Sequence, residues 1–165
     1  MLQENRVEGD RRVRSSNLVK KLVDSRTEML ALYSQLAAKR PFDGNDTVAP
    51  LLQEFCQSLV DYIANAHFQL YRHFAENRER RGPVLKIADE IYPRIIDITQ
   101  AILDFNDKYD CEDHCEIFPT LGSELSVLGE LLADRIELED RLIAAFSGRR
   151  VQEPTSSSTN APGRQ

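Results

Sequence analysis

The sequence contains no tryptophan and only three cysteines, seven glycines and seven prolines among its 165 residues. The scarcity of glycine and proline leaves long segments without a chain breaker, which favours helices. No apolar run approaches the ~20 residues that a membrane-spanning helix needs. Residues 1–14 are rich in charge and have no apolar core, unlike a secretory signal. Three cysteines are an odd number for a disulfide framework, so we expect reduced thiols in the cytoplasm.

Basic residues are also fewer than acidic ones: 21 lysines and arginines stand against 27 aspartates and glutamates, which gives a net charge of −6. Binding to phosphates requires clustered lysine and arginine, so this balance argues against DNA or RNA as a direct partner. It suits a basic protein partner. The same charge also serves simply to keep a protein soluble.

Signatures of catalysis are missing. A di-iron helical bundle needs Glu-x-x-His on facing helices, and this pattern does not occur: the residues three positions before His67, His73 and His114 are Ala64, Leu70 and Cys111. No glycine-rich phosphate loop and no nucleophile elbow is present. The sequence therefore predicts neither an enzyme nor a cofactor.

One cluster, at residues 111–115 (CEDHC), carries side chains that can bind zinc. It has no second ligand pair at a suitable spacing, because Cys56 is the only other cysteine. We interpret the cluster as part of an acidic loop and predict no metal site. Cys56 lies at the edge of an apolar stripe, which is typical of a small core residue.

Four amphipathic segments have the apolar spacing of helices. They cover about residues 12–38, 47–78, 83–105 and 121–146. Pro93 lies inside the third segment and is expected to kink or restart that helix, because proline removes a backbone donor. Gly148 should end the fourth segment.

These segments predict an all-α fold, an antiparallel four-helix bundle, because amphipathic helices joined by short loops bury their apolar stripes against one another. Residues 1–148 are expected to form one domain. Residues 149–165 are too polar to build a core and are expected to form a disordered tail.

The second segment has two distinct faces. Its apolar stripe predicts a helix packed on a core and consists of Phe55, Leu59, Ile63, Ala66, Leu70 and Phe74. At about 100° per residue, Asp61 points away from that stripe, near Glu54, Phe68 and Arg72. A phenylalanine beside an aspartate on an outer face suits contact with a partner, although an ordinary loosely packed surface has the same composition.

Two charged residues fall within predicted apolar stripes. Arg26 lies on the line of the core positions of the first segment, and Glu139 lies on that of the fourth. An isolated buried ion is costly, so we expect the two to pair, with His67 nearby. The alternatives are an open cleft that accepts a partner's side chain, or exposure of both at the rim of the bundle.

The connection before the fourth segment is acidic. Between residues 104 and 116, Lys108 is the only basic residue among six acidic ones: Asp104, Asp107, Asp110, Glu112, Asp113 and Glu116. This stretch is interpreted either as a solvated loop or as an electrostatic guide for a basic partner.

Four blocks of sequence resemble the Rsd/AlgQ family of bacterial anti-sigma factors. FCQSLVDYIANAHFQLY (55–71) is similar to the central helix of that family, and LGELLADRIELEDRLI (128–143) to its last helix. RVRSSNLVKKLVDSR (12–26) is similar to its opening helix, and IYPRIIDITQAILDF (91–105) to the segment between. Many family members carry a tryptophan in the first helix, where this chain has Leu22 nearby.

The resemblance implies a protein that binds the primary sigma factor of RNA polymerase, chiefly its C-terminal domain that reads the −35 element. Such binding would withhold sigma from core polymerase and from promoter DNA without chemical turnover. The expected contact residues are Asp61, Phe68, Glu54, Ser58 and Asn65, with Asp61 meeting an arginine of sigma.

Two other functions stay open from the sequence. One is a bundle that binds a small molecule or a metal through Arg26, His67 and Glu139. The other is a helical scaffold for further regulatory proteins.

Overall fold

The prediction of an all-helical protein is confirmed across residues 2–42, 47–71, 82–110 and 118–146, which the computed structural model describes and which contain no strand. They form four α-helices: α1 (Leu2–Ala37), α2 (Val48–Ala66), α3 (Gly82–Tyr109) and α4 (Phe118–Phe146). A short π-helix, His67–Tyr71, directly follows α2.

The helices differ from the sequence expectations in their ends and in their continuity. Helix α1 begins at Leu2 rather than near residue 12, since its first turns contain no proline. Helix α2 gives way to the π-helix after Ala66, where we expected an uninterrupted α-helix. Helix α3 runs through Pro93 as one helix and does not restart there. Terminal propensities are weak signals, and tertiary packing overrides them.

Parts of several predictions lie outside the described residues. They concern the end of the second segment with Arg72 and Phe74, the cluster at 111–115, and the tail at 149–165.

The core is formed by the apolar stripes of all four helices. In α2, Phe55, Leu59 and Ala66 are fully buried, and each large apolar side chain so buried stabilises the fold by about 1.5–3 kcal/mol. Leu30 has the apolar spacing of a core position of α1, next to Met29 and three residues before Tyr33, but it is 37% exposed. It borders a groove between α1 and α4.

Aromatic rings connect three of the helices through the core. The Tyr33 ring of α1 lies 5.9 Å from that of Phe55 in α2, and Phe55 lies 6.3 Å from Phe105 in α3. Both pairs meet edge to face, the arrangement that the ring quadrupoles favour. Helix α4 joins through a different contact.

That contact is made by Tyr33 and Gly129. The Tyr33 hydroxyl donates a hydrogen bond of 2.9 Å to the backbone carbonyl of Leu125 in α4. This brings the phenol directly over Gly129, so that a Cβ atom there would stand only 2.9 Å from Cζ of Tyr33. Glycine is needed at position 129 so that the Tyr33 side chain can approach the backbone of α4 closely, although glycine lowers helix stability by about 1 kcal/mol relative to alanine.

We expect Gly129→Ala to destabilise the protein by about 1–3 kcal/mol, because the overpacking and the displaced Tyr33 hydroxyl outweigh the gain in helix propensity. In a Tyr33→Ala background the same change should become neutral or stabilising. Urea melts of the two single variants and the double variant measure this.

Gly122→Ala is the matched control, since a Cβ there would lie 3.9 Å from the nearest side-chain atom, of Phe42. It should stabilise the helix by up to about 1 kcal/mol. Equal effects of the two glycine substitutions would contradict the close-approach explanation.

Candidate functional site

Three side chains of α2 and the π-helix form an exposed line, here called the α2 outer face: Glu54, Asp61 and Phe68. They are spaced seven residues apart, nearly two helical turns each, so they follow one line about 21 Å long. Phe68 is 61% exposed. An aromatic ring exposed to that degree, on the same line as two carboxylates, can supply apolar contact area and charge to one extended partner surface.

Asp61 is oriented by its own helix. Gln57, one turn earlier, donates a hydrogen bond of 3.3 Å from Nε2 to Oδ1 of Asp61. The carboxylate remains exposed and can accept further hydrogen bonds from a cation. The Phe68 ring is held by His67, whose ring centroid lies 5.6 Å away in an edge-to-face contact.

Two of the expected contact residues are placed differently. Ser58 is buried, and Asn65 is half-buried and donates a hydrogen bond of 3.2 Å to Oγ of Ser25 in α1. At 100° per residue, Ser58 and Asn65 lie about 60° and 40° from Asp61 around the axis of α2, on the side that faces α1. The expectation that Ser58 is accessible to a partner is therefore wrong, and Asn65 joins two helices at the edge of the outer face.

A cluster of polar side chains lies in the interior between the helices, and we call it the buried polar cluster. It consists of Tyr62, Thr99, Arg135 and Glu139, with Arg26 at its edge. The side chains of Arg135 and Glu139 are 1% and 0% exposed. Arg135 Nε donates a hydrogen bond of 3.0 Å to Oε1 of Glu139. This is an ion pair between residues one turn apart on α4, the spacing at which helical side chains meet.

The other members of the cluster come from the remaining helices. The Tyr62 hydroxyl of α2 donates to Oε2 of Glu139, and Nη1 of Arg135 donates to Oγ1 of Thr99 in α3. Thr99 in turn donates to the backbone carbonyl of Ile95, at 2.7 Å. The cluster thus connects α2, α3 and α4 through hydrogen bonds to charged groups, which are worth about 1.5–3 kcal/mol each.

Arg26 brings α1 into contact with the cluster. Its Nη1 lies 3.8 Å from Oε2 of Glu139 and only 2.8 Å from Oδ1 of Asp140. The Arg26 side chain is 14% exposed, so it borders the cluster rather than occupying its centre. The His67 side chain is exposed, so the expectation that it would be buried with Arg26 and Glu139 is wrong.

Burial dominates the electrostatics of the cluster. It raises the pKa of Glu139 despite the opposing effects of Arg135, the Tyr62 hydroxyl and Arg26. Burial also raises the pKa of Tyr62, and the neighbouring Glu139 carboxylate raises it further. The phenol therefore stays protonated and serves as a hydrogen-bond donor.

Sequence reasoning overlooked Arg135 as the direct partner of Glu139. Arg135 is three residues after Leu132 and four before Glu139, within the buried stripe of α4. That spacing was a usable signal, because a cation and an anion one turn apart on a buried face satisfy each other. The pairing with Tyr62 had no comparable signal, since it depends on how α2 meets α4.

A groove of about 630 Å³ runs between α1 and α4. It is lined by Leu30, Tyr33, Gly129, Leu132, Ala133, Ile136, Glu137, Asp140 and Arg141. Its floor is apolar and its charged side chains lie toward one end. Arg141 there approaches Glu90 of α3 at 3.8 Å.

The described part of the acidic stretch consists of Asp104, Asp107 and Asp110, all exposed; residues 111–117 lie outside the description. The ammonium of Lys108, which lies among them in sequence, pairs with Glu124 of α4. That pairing lowers the pKa of Glu124 against the opposing effect of partial burial.

Within the described ranges, no three histidine, cysteine, aspartate or glutamate side chains converge into a group that could hold a metal ion. His73, His114, Cys111 and Cys115 are not among the residues covered. None of the described helices combines the length and apolar character that crossing a bilayer requires.

Comparison with known proteins yields one family and a set of bacterial relatives. Residues 1–147 match the family described as regulator of RNA polymerase sigma(70) subunit, Rsd/AlgQ. The chain is 36% identical over 156 residues to "Regulator of sigma D" of Salmonella newport (strain SL254), and the match covers 85% of this chain and 91% of that protein. The proteins of the same name from Salmonella typhi and Salmonella typhimurium match with the same identity and coverage. No solved structure matches the chain.

We expect Arg135→Ala and Glu139→Ala each to lower the free energy of unfolding by about 3–5 kcal/mol, because each leaves a buried charge unpaired. Arg26→Ala should cost clearly less, since Arg26 reaches Asp140 at the edge. A double-mutant cycle in urea should give a larger coupling energy for Arg135 with Glu139 than for Arg26 with Glu139. The reverse order would mean that Arg26 is the principal partner of Glu139.

The free energy of unfolding should also fall at alkaline pH because of Tyr62. In the unfolded chain this phenol loses its proton near pH 10, whereas its raised pKa keeps it protonated in the native state. Above about pH 10 the native state therefore binds more protons, and stability falls by up to about 1.4 kcal/mol per pH unit.

Tyr62→Phe should flatten this slope while lowering stability at neutral pH by about 1–3 kcal/mol, the cost of the lost hydrogen bond to Glu139. Urea melts between pH 8 and pH 11 measure both effects. An unchanged alkaline slope would show that Tyr62 ionises as freely in the native state as in the unfolded chain.

Proposed function

The chain belongs to the Rsd/AlgQ family of regulators of the RNA polymerase sigma(70) subunit, and from this premise we propose that it binds the primary sigma factor and regulates transcription by that contact. The relatives that it matches are named for regulation of sigma D. Their match extends along nearly their whole length, so the proposal concerns the protein as a unit.

The contact surface that we propose is the α2 outer face. The observation that carries this choice is the exposure of Phe68 on the same line as the exposed carboxylates of Asp61 and Glu54. An aromatic side chain buried on binding serves as an anchor, and a carboxylate beside it can pair with an arginine of the partner. Asn65 would contribute at the edge of this surface.

The proposed target is the C-terminal domain of sigma, which reads the −35 element. Because that domain is a basic DNA-reading helical domain, the net charge of −6 and the exposed Asp104, Asp107 and Asp110 would attract it over the Debye length of ~8 Å. A bound domain could reach neither promoter DNA nor core polymerase. The mechanism is sequestration in the cytoplasm, with no catalysis, cofactor or direct contact with nucleic acid, and it leaves other surfaces available to further regulatory proteins.

The buried polar cluster has a supporting role in this proposal. Tyr62 is the residue next to Asp61 in α2 and points inward, where its hydroxyl is held by Glu139 of α4. A helix fixed from the inside presents its outer side chains in one geometry, so less conformational entropy is lost on binding. Arg26 and Glu139 would therefore stabilise the fold and would not contact the partner.

For the architecture we propose an antiparallel bundle of residues 1–148 followed by a disordered tail at 149–165. The order of contacts supports the antiparallel arrangement. Along α1 and the turn that follows it, Arg26, Tyr33 and Arg40 contact Asp140, Leu125 and Gly122 in turn, so the contacts run backward along α4. Along α3, Arg94 and Lys108 pair with Asp134 and Glu124 in the same reversed order.

We expect Asp61→Arg to weaken binding to purified primary sigma factor by at least about tenfold, because reversing a charge at an interface costs 1.4 kcal/mol or more. Phe68→Ala should weaken it comparably. Glu130→Arg is the matched control: it makes the same change of charge at an exposed position of α4 and should leave the affinity near that of the wild type.

Isothermal titration gives the affinities, and circular dichroism shows whether the helices persist. Unchanged affinity of Asp61→Arg would remove the α2 outer face from the interface. Equal weakening by Glu130→Arg would mean that net charge, and not this surface, governs binding.

A further inference from the structure

A second apolar stripe is exposed on a different helix. Tyr92, Ile96 and Leu103 of α3 are 45%, 49% and 38% exposed. They are spaced four and seven residues apart and therefore lie on one side of the helix, along about 16 Å. We call this surface the α3 outer face. The core contacts of α3 are made from its opposite side by Ile91, Ile95, Ile98, Ile102 and Phe105.

Acidic side chains border this stripe. All four are exposed aspartates that lie within about 100° of Ile96 around the helix axis: Asp89, Asp97, Asp104 and Asp107. Three basic residues belong to α3. Arg94 pairs with Asp134 at 3.2 Å, and Lys108 pairs with Glu124, both in α4. Lys86 is exposed near the start of the helix, on the same side as the aspartates. With four aspartates against this one lysine, the α3 outer face is apolar along its centre and net negative along its edge.

The sign of these charges selects among the surfaces that could cover the stripe. A second copy of the chain would bring aspartates against aspartates, and like charges facing each other are unfavourable. Anionic lipids and nucleic acids would be repelled for the same reason. A basic protein surface would gain both apolar burial and charge pairing.

We propose that the α3 outer face binds a basic amphipathic helix of a partner protein, independently of the α2 outer face. A helix fits because apolar side chains at every third or fourth position can interlock with the spacing of Tyr92, Ile96 and Leu103. Lysine or arginine beside such a stripe has a long enough stem to reach the bordering aspartates while covering apolar surface.

Independence follows from where the two surfaces lie. Asp61 and Phe68 belong to α2 and the π-helix, whereas the stripe belongs to α3. These helices meet through buried rings, Phe55 against Phe105 at 6.3 Å, and not through the exposed residues of either surface. Binding at one surface therefore covers no residue that defines the other.

The test uses the full-length protein and two synthetic helical peptides of about 15 residues, the length near which isolated helices become stable. Both peptides carry leucine at positions 1, 5, 8 and 12, which lie on one side of the peptide helix. The flanking positions are lysine in one peptide and glutamate in the other. Fluorescence anisotropy measures affinity, and amide chemical shifts of the protein report which helix is contacted.

The lysine peptide should bind with shifts centred on residues 92–104, and the glutamate peptide should bind at least about tenfold more weakly. Ile96→Glu should weaken binding of the lysine peptide by a similar factor. Val127→Glu is the matched control, since Val127 is an exposed apolar residue of α4 (57%) and its replacement adds the same charge. Should Ile96→Glu unfold the protein, the doubly reversed variant Asp97→Lys/Asp104→Lys replaces it and should weaken binding as much.

Three results would overturn the proposal: no binding of the lysine peptide, equal binding of the two peptides, or loss of binding in Asp61→Arg with shifts on α2. The last result would assign the peptide to the α2 outer face. Because sigma binding is measured separately, failure here would leave the proposed function untouched.

Discussion

The buried ion pair between Arg135 and Glu139 is the constraint around which the four helices are arranged. Two opposite charges inside an apolar core are tolerated only when their remaining hydrogen-bonding groups are satisfied. Here Tyr62 of α2 and Thr99 of α3 form hydrogen bonds to the pair, and Arg26 of α1 adds an ion-pair contact of 3.8 Å to Glu139. Apolar packing alone would accept small rotations and shifts of the helices, whereas this set of hydrogen bonds specifies one arrangement.

This constraint links the interior to the surface. Tyr62 is fixed inside by Glu139 while its neighbour Asp61 faces solvent, so the orientation of α2 and the position of the proposed sigma contact are set together. Tyr33 likewise fixes α1 against α4, because its hydroxyl donates a hydrogen bond to the backbone carbonyl of Leu125. Such rigidity would favour the proposed contact, because a surface held in one geometry loses little entropy when a partner binds.

The contrast between the two exposed surfaces also has a physical basis. The α2 outer face combines carboxylates with a single phenylalanine, whereas the α3 outer face has three apolar side chains in a row with aspartates at the edge. Both are negative, in keeping with the net charge of −6. On the two proposals above, basic partners would bind at both faces, and the pattern of apolar groups would distinguish one partner from the other.

Four helices and their inward faces can be predicted from the sequence, since apolar spacing is local and follows the 3.6-residue turn. The same spacing predicts that Asp61 and Phe68 lie outside and that Glu139 lies inside. The packing of the helices sets the burial of Ser58, the contact of Asn65 with α1, the exposure of His67 and the pairing of Glu139 with Arg135 and Tyr62. These outcomes depend on which helices lie side by side and how they are rotated, and the period of a single helix carries no information about its neighbours. For that reason a charge can be assigned to the interior from its own helix, but its partners emerge only when all four helices are in place.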